Sequence, residues 1–585
     1  MTTNAEVADR LEEMGDLLEA RDVEFKPRAY RRAAETIRGQ AIPVEDIVEA
    51  GGQDALEELE HVGEAIASKV VEYVETGDIE ELEELRADLP VEMAALTRVE
   101  GVGPKTVGKL YDALGIQTLD DLEAAAEAGE IQEVSGFGAK TEQNILEGID
   151  FARQSRERQL LGDARPLADE ALSYLADVDA ADRWEVAGSI RRWRATIGDV
   201  DVLVATEEPE RVVEAFTDWD RVEDVIEAGT TKASTRVAGV RIDLRTVVPA
   251  EFGSALQYFT GSKDHNITLR NYAIDREVKL NEYGAFDVSA VEDPDAGQRV
   301  GDRIGGETEE SMYEALDLPW VPPEMREERG EVEAAADGEL PDLLVEGDVR
   351  GDLHTHTEWS DGDVTIEELA RGAVEYGHDY CCVSDHATGP GMVGGVGLED
   401  DELREQMAEI RAVDDDLADI DLLAGVEANV DAEGAISVAD DVLADLDLVV
   451  ASPHSALDQG TDAATERLIA AVEHPHVDVL GHPSGRLLNR REGMTFDVDA
   501  VVEAAAEAGT ALEINANPHR LDLWGSAVQS AVEAGARIAI NTDAHHPDEF
   551  PNVRYGVHVA RRGWAEADDV LNAGSIDDVR AFVEE

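Results

Sequence analysis

The sequence predicts a multidomain protein with an all-α N-terminal region, a mixed α/β middle and a C-terminal region of repeated βα units. The first observation behind this fold class is length, because 585 residues are enough for about three or four domains. The second is that apolar residues recur at spacings of three and four before residue 80, which is typical of helices. The third is that short apolar runs alternate with helical stretches beyond residue 347, which is typical of parallel strands joined by helices.

The chain is acidic along its whole length. Acidic residues outnumber basic ones by 132 to 49, and the formal net charge is −83. Such a surface repels itself in dilute buffer, whereas at molar salt the Debye length falls to about 3 Å and the repulsion is screened. We therefore expect a protein of a halophile, specifically of a haloarchaeon. Its ligand contacts would depend on backbone donors, bound cations and a few placed side chains more than on net charge.

Two further features of the sequence bear on the cellular compartment in which the protein works. No apolar run approaches the roughly 20 residues of a membrane span, and no secretion signal is evident. The two cysteines, Cys381 and Cys382, are adjacent, so they cannot form a disulfide framework and are expected to lie buried in a strand. These features predict a cytoplasmic protein that does not enter a membrane.

Four helical segments are expected before residue 80, where they would form a small all-α domain. Glycine and proline separate them. The segments span residues 6–21, 27–38, 45–49 and 64–75, with breaks at Gly39, Pro43 and the pair Gly51 and Gly52.

Three hairpin segments in the N-terminal region share one plan, in which a short glycine-containing turn runs into an amphipathic helix. Such a turn lets the backbone pass close to a phosphate and presents the N–H groups of the next helix to it, without regard to base sequence. One hairpin alone is as easily a turn between packed helices, but three in one chain favour a sugar-phosphate clamp, and they resemble helix-hairpin-helix elements. The expected DNA-binding residues are Gly63, Gly101, Gly103, Lys105, Gly136, Gly138 and Lys140.

Carboxylates lie on two predicted strands in the middle of the chain. Val200, Val202 and Val204 recur at every second residue, so Asp199 and Asp201 share the other face of a strand. A second strand, expected over residues 237–248, carries Asp243. Three acids on neighbouring strands are what a two-cation site for phosphoryl transfer requires.

A phosphate-binding turn precedes the first of these strands, where Gly188 and Ser189 are followed by a basic run. Together with the three aspartates, this turn resembles the X-family DNA polymerases related to polymerase β, within the nucleotidyltransferase superfamily. The resemblance implies two Mg²⁺ or Mn²⁺ ions held by the aspartates, and attack of a primer 3′-hydroxyl on an α-phosphate. The nucleotide-binding residues that it implies are Arg158, Gly188, Ser189, Arg192, Gly198, Tyr258, Phe259, Gly261, Asn266 and Arg270.

Lys69 is singled out because the chain contains only eight lysines, and because an amine can form a Schiff base with a deoxyribose aldehyde whereas a guanidinium cannot. The segment around Lys26 and Tyr30 and the helix that carries Lys69 resemble the lyase domain of polymerase β. The resemblance places Lys69 at the Schiff-base position. A role in phosphate contact, or none beyond the surface, is the alternative.

Seven apolar runs follow residue 347, and six of them end in acids or histidines. Ligands at the C-terminal ends of parallel strands are where a barrel builds its active site. Histidine and carboxylate suit Zn²⁺, Mn²⁺ or Fe²⁺, and nine ligands are too many for one ion. The runs are residues 351–353, 380–384, 422–426, 446–451, 477–480, 511–514 and 538–540.

These ligands resemble those of the PHP (polymerase and histidinol phosphatase) domain. The resemblance implies a (β/α)7 barrel with a site for two or three metal ions that hydrolyses phosphoesters. Five other histidines, at positions 378, 474, 476, 519 and 546, match no ligand position and are expected to be ordinary residues. The implied ligands are His354, His356, Asp361, His386, Glu427, His454, His482, Asp543 and His545.

The expected fold class is therefore N-terminal all-α helix-hairpin-helix domains, an α+β nucleotidyltransferase palm and thumb, and a C-terminal (β/α)7 PHP barrel. Proline and acidic residues over 318–347 predict a linker between the last two parts. The expected domains are a lyase-like domain (1–80), a helix-hairpin-helix domain (81–150), the palm (151–250), the thumb (251–320), a linker (321–347) and the PHP domain (348–585).

These expectations combine into a monomeric DNA polymerase that fills short gaps in repair. Its barrel would act as a 3′ to 5′ exonuclease, with incision at abasic sites and lyase activity as further expectations. Its partners would be gapped or nicked DNA and dNTPs, and the sequence identifies no repair protein. The alternatives are a small-phosphoester phosphatase fused to a DNA-binding module, a DNA-binding scaffold with inactive sites, and a terminal transferase or RNA-directed enzyme.

Overall fold

The computed structural model describes residues 4–23, 26–38, 44–57, 59, 61–97, 99, 102–156, 158–294, 296–389 and 396–584. The chain divides into two compact units. The first is Met1–Arg158 with Asn489–Glu492, and the second is Gln159–Leu488 with Gly493–Glu585. Among the described residues, no helix is both long and apolar enough to cross a membrane.

The first unit is helical, as predicted, around a core of its own apolar residues. The predicted break at Gly51 and Gly52 is present as a kink: Gly52 has a φ of 64°, outside the helical range, and a further helical turn follows it to Leu56. The helices are α1 (Asn4–Ala20), α2 (Lys26–Arg38), α3 (Val44–Leu56), α4 (Glu64–Thr76), α5 (Glu80–Asp88), α6 (Met93–Leu96), α7 (Pro104–Leu114), α8 (Leu119–Glu127) and α9 (Ala139–Arg156).

The second unit begins with a five-stranded sheet in the order β2-β4-β7-β6-β5. Its first elements are β1 (Gln159–Leu160), α10 (Leu161–Ala176), β2 (Arg183–Ala187), α11 (Gly188–Arg191), β3 (Thr196–Ile197), β4 (Val200–Ala205), α12 (Pro209–Thr217), β5 (Asp224–Ala228), β6 (Lys232–Val237) and β7 (Val240–Val247). The strand expected over residues 237–248 was wrong at its start. Val237 ends β6, and a turn through Ala238 and Gly239, both with positive φ, leads into β7.

The two faces of β4 have different roles. Val200, Val202 and Val204 pack into the main core with α10 and α12. The other face carries Asp201 and then Leu203, which packs with Ala205 against the helix that begins at Phe252. The period of two therefore places the aspartates at the uncovered end of a face that is otherwise closed.

A smaller helical and three-stranded region follows. Its elements are α13 (Phe252–Thr260), α14 (Lys263–Ile274), β8 (Val278–Asn281), β9 (Gly284–Asp287), β10 (Asp302–Gly305), α15 (Glu310–Glu314) and α16 (Glu331–Asp337), with sheet order β10-β9-β8.

The segment predicted to be a linker, residues 318–347, is packed, so that prediction was wrong. Arg326 is fully buried, and its Nη1 donates to Glu309 Oε1 at 2.7 Å. Val321 and Met325 lie in the same small core as α14 and α15. Proline and acidic residues predicted an exposed loop, but here Glu324 and Glu327 are paired with arginines and Pro323 lies in a buried turn.

The rest of the unit is a parallel sheet of seven strands in sequential order, which confirms the predicted barrel of βα units. A bridge between Thr355 and Ala544 joins the first strand to the chain that follows the last, so the ring nearly closes. The strands are β11 (Gly351–Thr355), β12 (Tyr380–Val383), β13 (Asp421–Asn429), β14 (Leu448–Ser452), β15 (Val479–Leu480), β16 (Ala511–Asn515) and β17 (Ile538–Asn541). The helices are α17 (Ile366–Tyr376), α18 (Asp400–Asp416), α19 (Asp440–Leu443), α20 (Thr461–Val472), α21 (Val498–Ala508), α22 (Gly525–Ala534), α23 (Val553–Arg562) and α24 (Ile576–Val583).

Two candidate metal centres

The first candidate centre is the aspartate triad, formed by Asp199, Asp201 and Asp243. Strands β4 and β7 are parallel neighbours, and Asp201 and Asp243 are direct partners in their register. Asp199 precedes β4 by one residue, so it projects from the same face as Asp201. One carboxylate oxygen from each lies within 4.8 Å of the others, so the structure brings the three residues together as a ligand set.

The triad is electrostatically strained when it holds no cation. Burial, together with the nearby charges of Asp199 and Asp243, raises the pKa of Asp201 to about 7. A divalent cation would relieve this repulsion, and carboxylate oxygens are the ligands that Mg²⁺ and Mn²⁺ prefer. The residues present therefore fit the cations that the sequence predicted.

Two side chains that the sequence analysis missed support Asp243. Ser234 lies opposite it in the antiparallel pair β6 and β7, and the Ser234 hydroxyl donates to Asp243 Oδ1. Arg241 Nε donates to the same oxygen at 2.9 Å. Alternation along β7 puts Arg241 on the face of Asp243 and could have identified it.

A cavity of about 250 Å³ borders the triad. Asp201 and Asp243 line it, and so do three basic side chains, Lys232, Arg241 and Arg245. The acidic pair and the basic residues together suit a ligand that brings both cations and phosphates, which is the composition of a metal-bound nucleotide.

The predicted phosphate turn lies directly against the triad. Gly188 has a φ of 63°, and a Cβ at this position would lie 2.2 Å from Asp201 Oδ2. Only glycine fits such a site, because L residues disfavour this backbone conformation and the space is filled. Ser189 is thereby placed next to the aspartates.

Arg192 is engaged by protein groups. Its side chain is 12% exposed; Nε donates to Glu327 Oε1 at 3.1 Å, and Nη1 donates to the Thr260 carbonyl. Gly261, another predicted nucleotide residue, lies against the same guanidinium, since a Cβ there would be 3.2 Å from Arg192 Nη1. Glu327 could not be predicted as the partner of Arg192, because it lies 135 residues away in the chain.

The other predicted nucleotide-binding residues lie in several places. Tyr258 and Phe259 stack edge to face at the end of α13, and Phe259 also lies under Arg245, at 4.2 Å. Asn266 Nδ2 donates to the Tyr258 carbonyl at 2.8 Å. Gly198 and Arg270 are exposed, the latter on α14, and Arg158 belongs to the first unit.

The second candidate site is the barrel centre, formed by the nine residues predicted as ligands. They lie in or just after strands β11, β12, β13, β14, β15 and β17. Glu427 is central: His386 Nδ1, His454 Nε2 and His482 Nε2 lie 2.5, 3.2 and 2.9 Å from its carboxylate oxygens. The sets with closely grouped ligand atoms are His356, Asp361, His386 and His545; His354, His356 and Asp543; and His386, Glu427 and His454.

His356 and His386 each belong to two of these sets, so the sets are adjoining parts of one multi-ion centre. The chemistry of the donors fits metal ions. The Nδ1 atoms of His356 and His482 are buried without a hydrogen-bond partner, and His356 Nε2 faces the Asp543 carboxylate at 3.0 Å. A buried ring nitrogen without a partner destabilises the folded protein unless a metal ion binds it.

Three of the imidazoles are oriented by an acceptor on their other nitrogen. His354 Nδ1 lies 2.7 Å from Glu513 Oε1, His454 Nδ1 lies 2.7 Å from Asn429 Oδ1, and His545 Nδ1 lies 2.8 Å from the Asp543 carbonyl. Such a partner fixes the tautomer, so that Nε2 carries the lone pair that binds a metal.

Charges in the barrel centre are strongly coupled. Burial lowers the pKa of His545, but Asp361 and Asp543 outweigh it and raise the value to about 10. Burial and the neighbouring His545 and His386 lower the pKa of His356 to about 4. Metal binding would therefore displace a proton from His545, whereas His356 is already neutral.

Sequence reasoning missed the residues that support the ligands. Glu513 is fully buried on β16, where Oε2 also accepts from the His482 backbone N–H at 2.7 Å. Asp352, in β11, accepts from the Thr542 hydroxyl at 2.5 Å and from the backbone N–H of His354. An acid inside an otherwise apolar buried strand was the available signal.

The hairpins of the first unit leave their turns open. A Cβ added at Gly63, Gly103, Gly136 or Gly138 would meet nothing within 4 Å. Gly63 and Gly103 are the N-cap residues of α4 and α7. Lys105 and Lys140 are exposed in the first turns of α7 and α9, whereas Gly101 lies outside the described residues.

Lys69 is held in an ion pair, and this pairing does not favour its predicted role as a nucleophile. Its Nζ lies 2.8 Å from Glu81 Oε2, and the side chain is 16% exposed. Burial lowers its pKa, but Glu81 and Tyr30 outweigh burial, so the net shift is upward. A Schiff-base lysine needs a depressed pKa.

Known families match four parts of the chain. A helix-hairpin-helix domain matches residues 2–79, and a SAM-like helix-hairpin-helix tandem matches residues 93–150. The DNA polymerase beta thumb matches residues 255–327, and the PHP domain matches residues 352–517.

Similar proteins span one or both catalytic regions. A DNA polymerase/3'-5' exonuclease PolX from Bacillus subtilis is 35% identical over 565 residues, which are 96% of this chain and 96% of that protein. DNA polymerase lambda from Rattus norvegicus is 24% identical over 345 residues, 55% of this chain and 56% of the relative. A probable phosphatase from Caldanaerobacter subterraneus is 32% identical over 169 residues, 28% of this chain and 61% of the relative.

Proposed function

Because the chain belongs to the X-family DNA polymerases that carry helix-hairpin-helix domains and a PHP domain, we propose that it fills short gaps in DNA and trims 3′ ends at a second site. Synthesis is assigned to the aspartate triad and 3′ to 5′ exonuclease activity to the barrel centre. The observation that carries the proposal is the direct register of Asp201 with Asp243, which makes a cation site beside a cavity with basic walls.

In synthesis, two Mg²⁺ or Mn²⁺ ions would be held by Asp199, Asp201 and Asp243 and would supply charge neutralisation at the reacting phosphate. We assign to Asp243 the role of accepting the proton of the primer 3′-hydroxyl. Ser234 and Arg241 both donate to its Oδ1, so they fix the carboxylate in one orientation. Arg241, Lys232 and Arg245 line the cavity and would meet the phosphates.

In trimming, the barrel ligands would hold two or three Zn²⁺, Mn²⁺ or Fe²⁺ ions, which would activate water for attack on a phosphodiester. Glu513 and Asn429 orient His354 and His454, and burial excludes bulk water from the ligands. Incision at abasic sites needs the same cleavage and is included in the proposal. The lyase is not, because Lys69 is paired with Glu81.

The substrates proposed are gapped or nicked DNA and dNTPs, acted on in the cytoplasm by a monomer. The three hairpins of the first unit would hold the sugar-phosphate backbone through the N–H groups at their open glycine turns. This mode of binding depends little on net surface charge, which suits so acidic a chain.

The test is a combined extension and shortening assay in molar KCl with Mn²⁺, on a 5′-labelled duplex with a one-nucleotide gap. We expect Asp243→Asn to abolish extension alone and His354→Ala to abolish shortening alone. Matched controls, Asp220→Asn and His474→Ala, change the same residue types outside both centres. Wild-type protein that leaves DNA unchanged but releases phosphate from small phosphoesters would instead identify a phosphatase.

A further inference from the structure

The turn that carries Ser189 and Arg192, two of the predicted nucleotide-binding residues, also packs against the barrel. The Trp193 ring stacks on the His558 ring of α23, with centroids 3.5 Å apart and planes 7° apart. Arg554, also on α23, lies over the same indole at 5.2 Å. The segment that begins at Gly188 therefore lies between the triad and a helix of the barrel.

One buried carboxylate joins this turn to the barrel. Glu327 Oε1 accepts from Arg192 Nε and from Arg562 Nη1, both at 3.1 Å, and Oε2 accepts from Arg194 Nη1 at 3.0 Å. The Glu327 side chain is 10% exposed. Burial raises its pKa, but Arg562, Arg192 and Arg194 outweigh burial and hold the value at about 2, so the group is ionised at neutral pH.

Arg562, at the end of α23, holds the backbone of the turn as well as its counter-ion. Its Nη1 donates to the Arg192 carbonyl in addition to Glu327. The Arg562 carbonyl in turn accepts from Arg329 Nη2, in the packed segment that follows Glu327. Arg562 thus contacts the Arg192 backbone directly and the Arg192 side chain through Glu327.

Arg192 is consequently held at two of its nitrogens by different parts of the fold. Nε meets Glu327, and Nη1 meets the Thr260 carbonyl just before Gly261. A guanidinium is planar, so two fixed acceptors determine its orientation. Holding a binding group in its bound orientation before the ligand arrives increases affinity, because the cost of ordering it is already met.

We propose that Glu327 and Arg562 are positioning residues that hold Arg192 for the incoming triphosphate, so that an arginine of the barrel helix sets the nucleotide affinity of the polymerase site. This inference rests on the proposed function, since it requires the triad to use dNTPs. It assigns a polymerase role to a residue of the exonuclease half. At molar salt, where long-range attraction is screened, fixed orientation of one arginine matters more than total charge.

The experiment compares Glu327→Gln and Arg562→Lys with wild type in steady-state gap filling in molar KCl. Glutamine keeps the shape of Glu327 but loses its charge, and lysine keeps the charge of Arg562 but not the geometry of two directed hydrogen bonds. We expect the KM for dNTP to rise about tenfold in each variant, with kcat within about twofold, because the affected contact orients a binding group.

The matched control is Arg561→Lys, one residue earlier on the same helix. Arg561 pairs with Glu324 at 2.7 Å and donates to the Leu344 carbonyl, without contacting the turn. Its KM for dNTP should stay at the wild-type value. Exonuclease rate and the midpoint of thermal unfolding, measured on every variant, verify that the barrel is folded.

The outcomes separate this inference from the function on which it rests. An unchanged or lowered KM in Glu327→Gln and Arg562→Lys, with normal wild-type extension, overturns the positioning role alone. An equal rise in Arg561→Lys also overturns it, because general loosening of the packing would then be the cause. A wild-type chain that neither binds dNTP in equilibrium dialysis nor extends a primer overturns the proposed function and this inference together.

Discussion

The aspartate triad and the barrel centre lie in the same compact unit but differ in how much of a metal site the protein provides. The triad offers three partly exposed carboxylates beside an open cavity. The barrel centre offers nine ligands, most of them buried, several with the second ring nitrogen already oriented. From this difference we expect the triad to be completed by the phosphates of its substrate, and the barrel centre to bind its ions before substrate arrives.

The largest loss of activity is expected at the barrel centre, where the protein supplies the most metal ligands. His356→Ala removes a ligand shared by two of the closely grouped sets. We expect exonuclease activity to fall by at least about 10³-fold, and bound metal after dialysis, measured by mass spectrometry, to decrease by one ion or more. Gap filling should stay within about twofold of wild type. Retention of all bound metal would show that the sets do not share this residue.

The next effect concerns the tight fit around the triad. Gly188→Ala would place a methyl group 2.2 Å from Asp201 Oδ2, so we expect kcat/KM for gap filling to fall about 10²-fold while trimming is unchanged. Gly239→Ala is the matched control. Gly239 has a similar φ of 75°, but a Cβ there meets nothing within 4 Å. Equal losses in both variants would attribute the effect to backbone strain alone.

A smaller effect is expected from the residues that orient the barrel ligands. Glu513→Gln weakens the acceptor that fixes His354, so we expect metal affinity to fall about 10- to 100-fold, measured by competition with a chelator. Glu503→Gln, exposed on α21, serves as the control. Unchanged affinity in Glu513→Gln would mean that burial alone holds His354.

The smallest effect is expected in the pH dependence of Mn²⁺ binding at the triad. Since the pKa of Asp201 is raised to about 7, the carboxyl is protonated below that pH and a cation must displace the proton. The Mn²⁺ concentration for half-maximal gap filling should therefore rise about tenfold per pH unit below 7 and level off above it. Measurements at pH 6 and 8 suffice, and equal values would contradict the assigned ionisation.

The clustering of the candidate ligands could be predicted because these residues follow local patterns. Alternation along β4 put Asp199 and Asp201 on one face, and six of the seven βα repeats placed histidines or acids near a strand end. These periods span only a few residues, so the sequence displays them directly. The turn at Ala238 and Gly239 was missed because apolar residues continue across it.

The supporting residues could not be predicted from local patterns. Glu327 and Arg562 are 235 residues apart, and Glu513 is 159 residues from His354. Nothing near Glu327 in the sequence distinguishes it from the many solvated acids of this chain. The supposed linker was misassigned for the same reason, since the arginines that pair with its acids come from elsewhere in the fold.

The ion pairs that join residues 324–327 to α23 limit how the two catalytic regions can be separated or recombined in evolution. Glu324 is almost fully buried, and its carboxylate meets Arg561 and His558, both from the barrel. A polymerase cut off after residue 347 would leave this carboxylate without those partners and would uncover the indole of Trp193. The two catalytic halves are therefore not exchangeable modules: a new partner domain would have to bring its own pair of arginines to the same place.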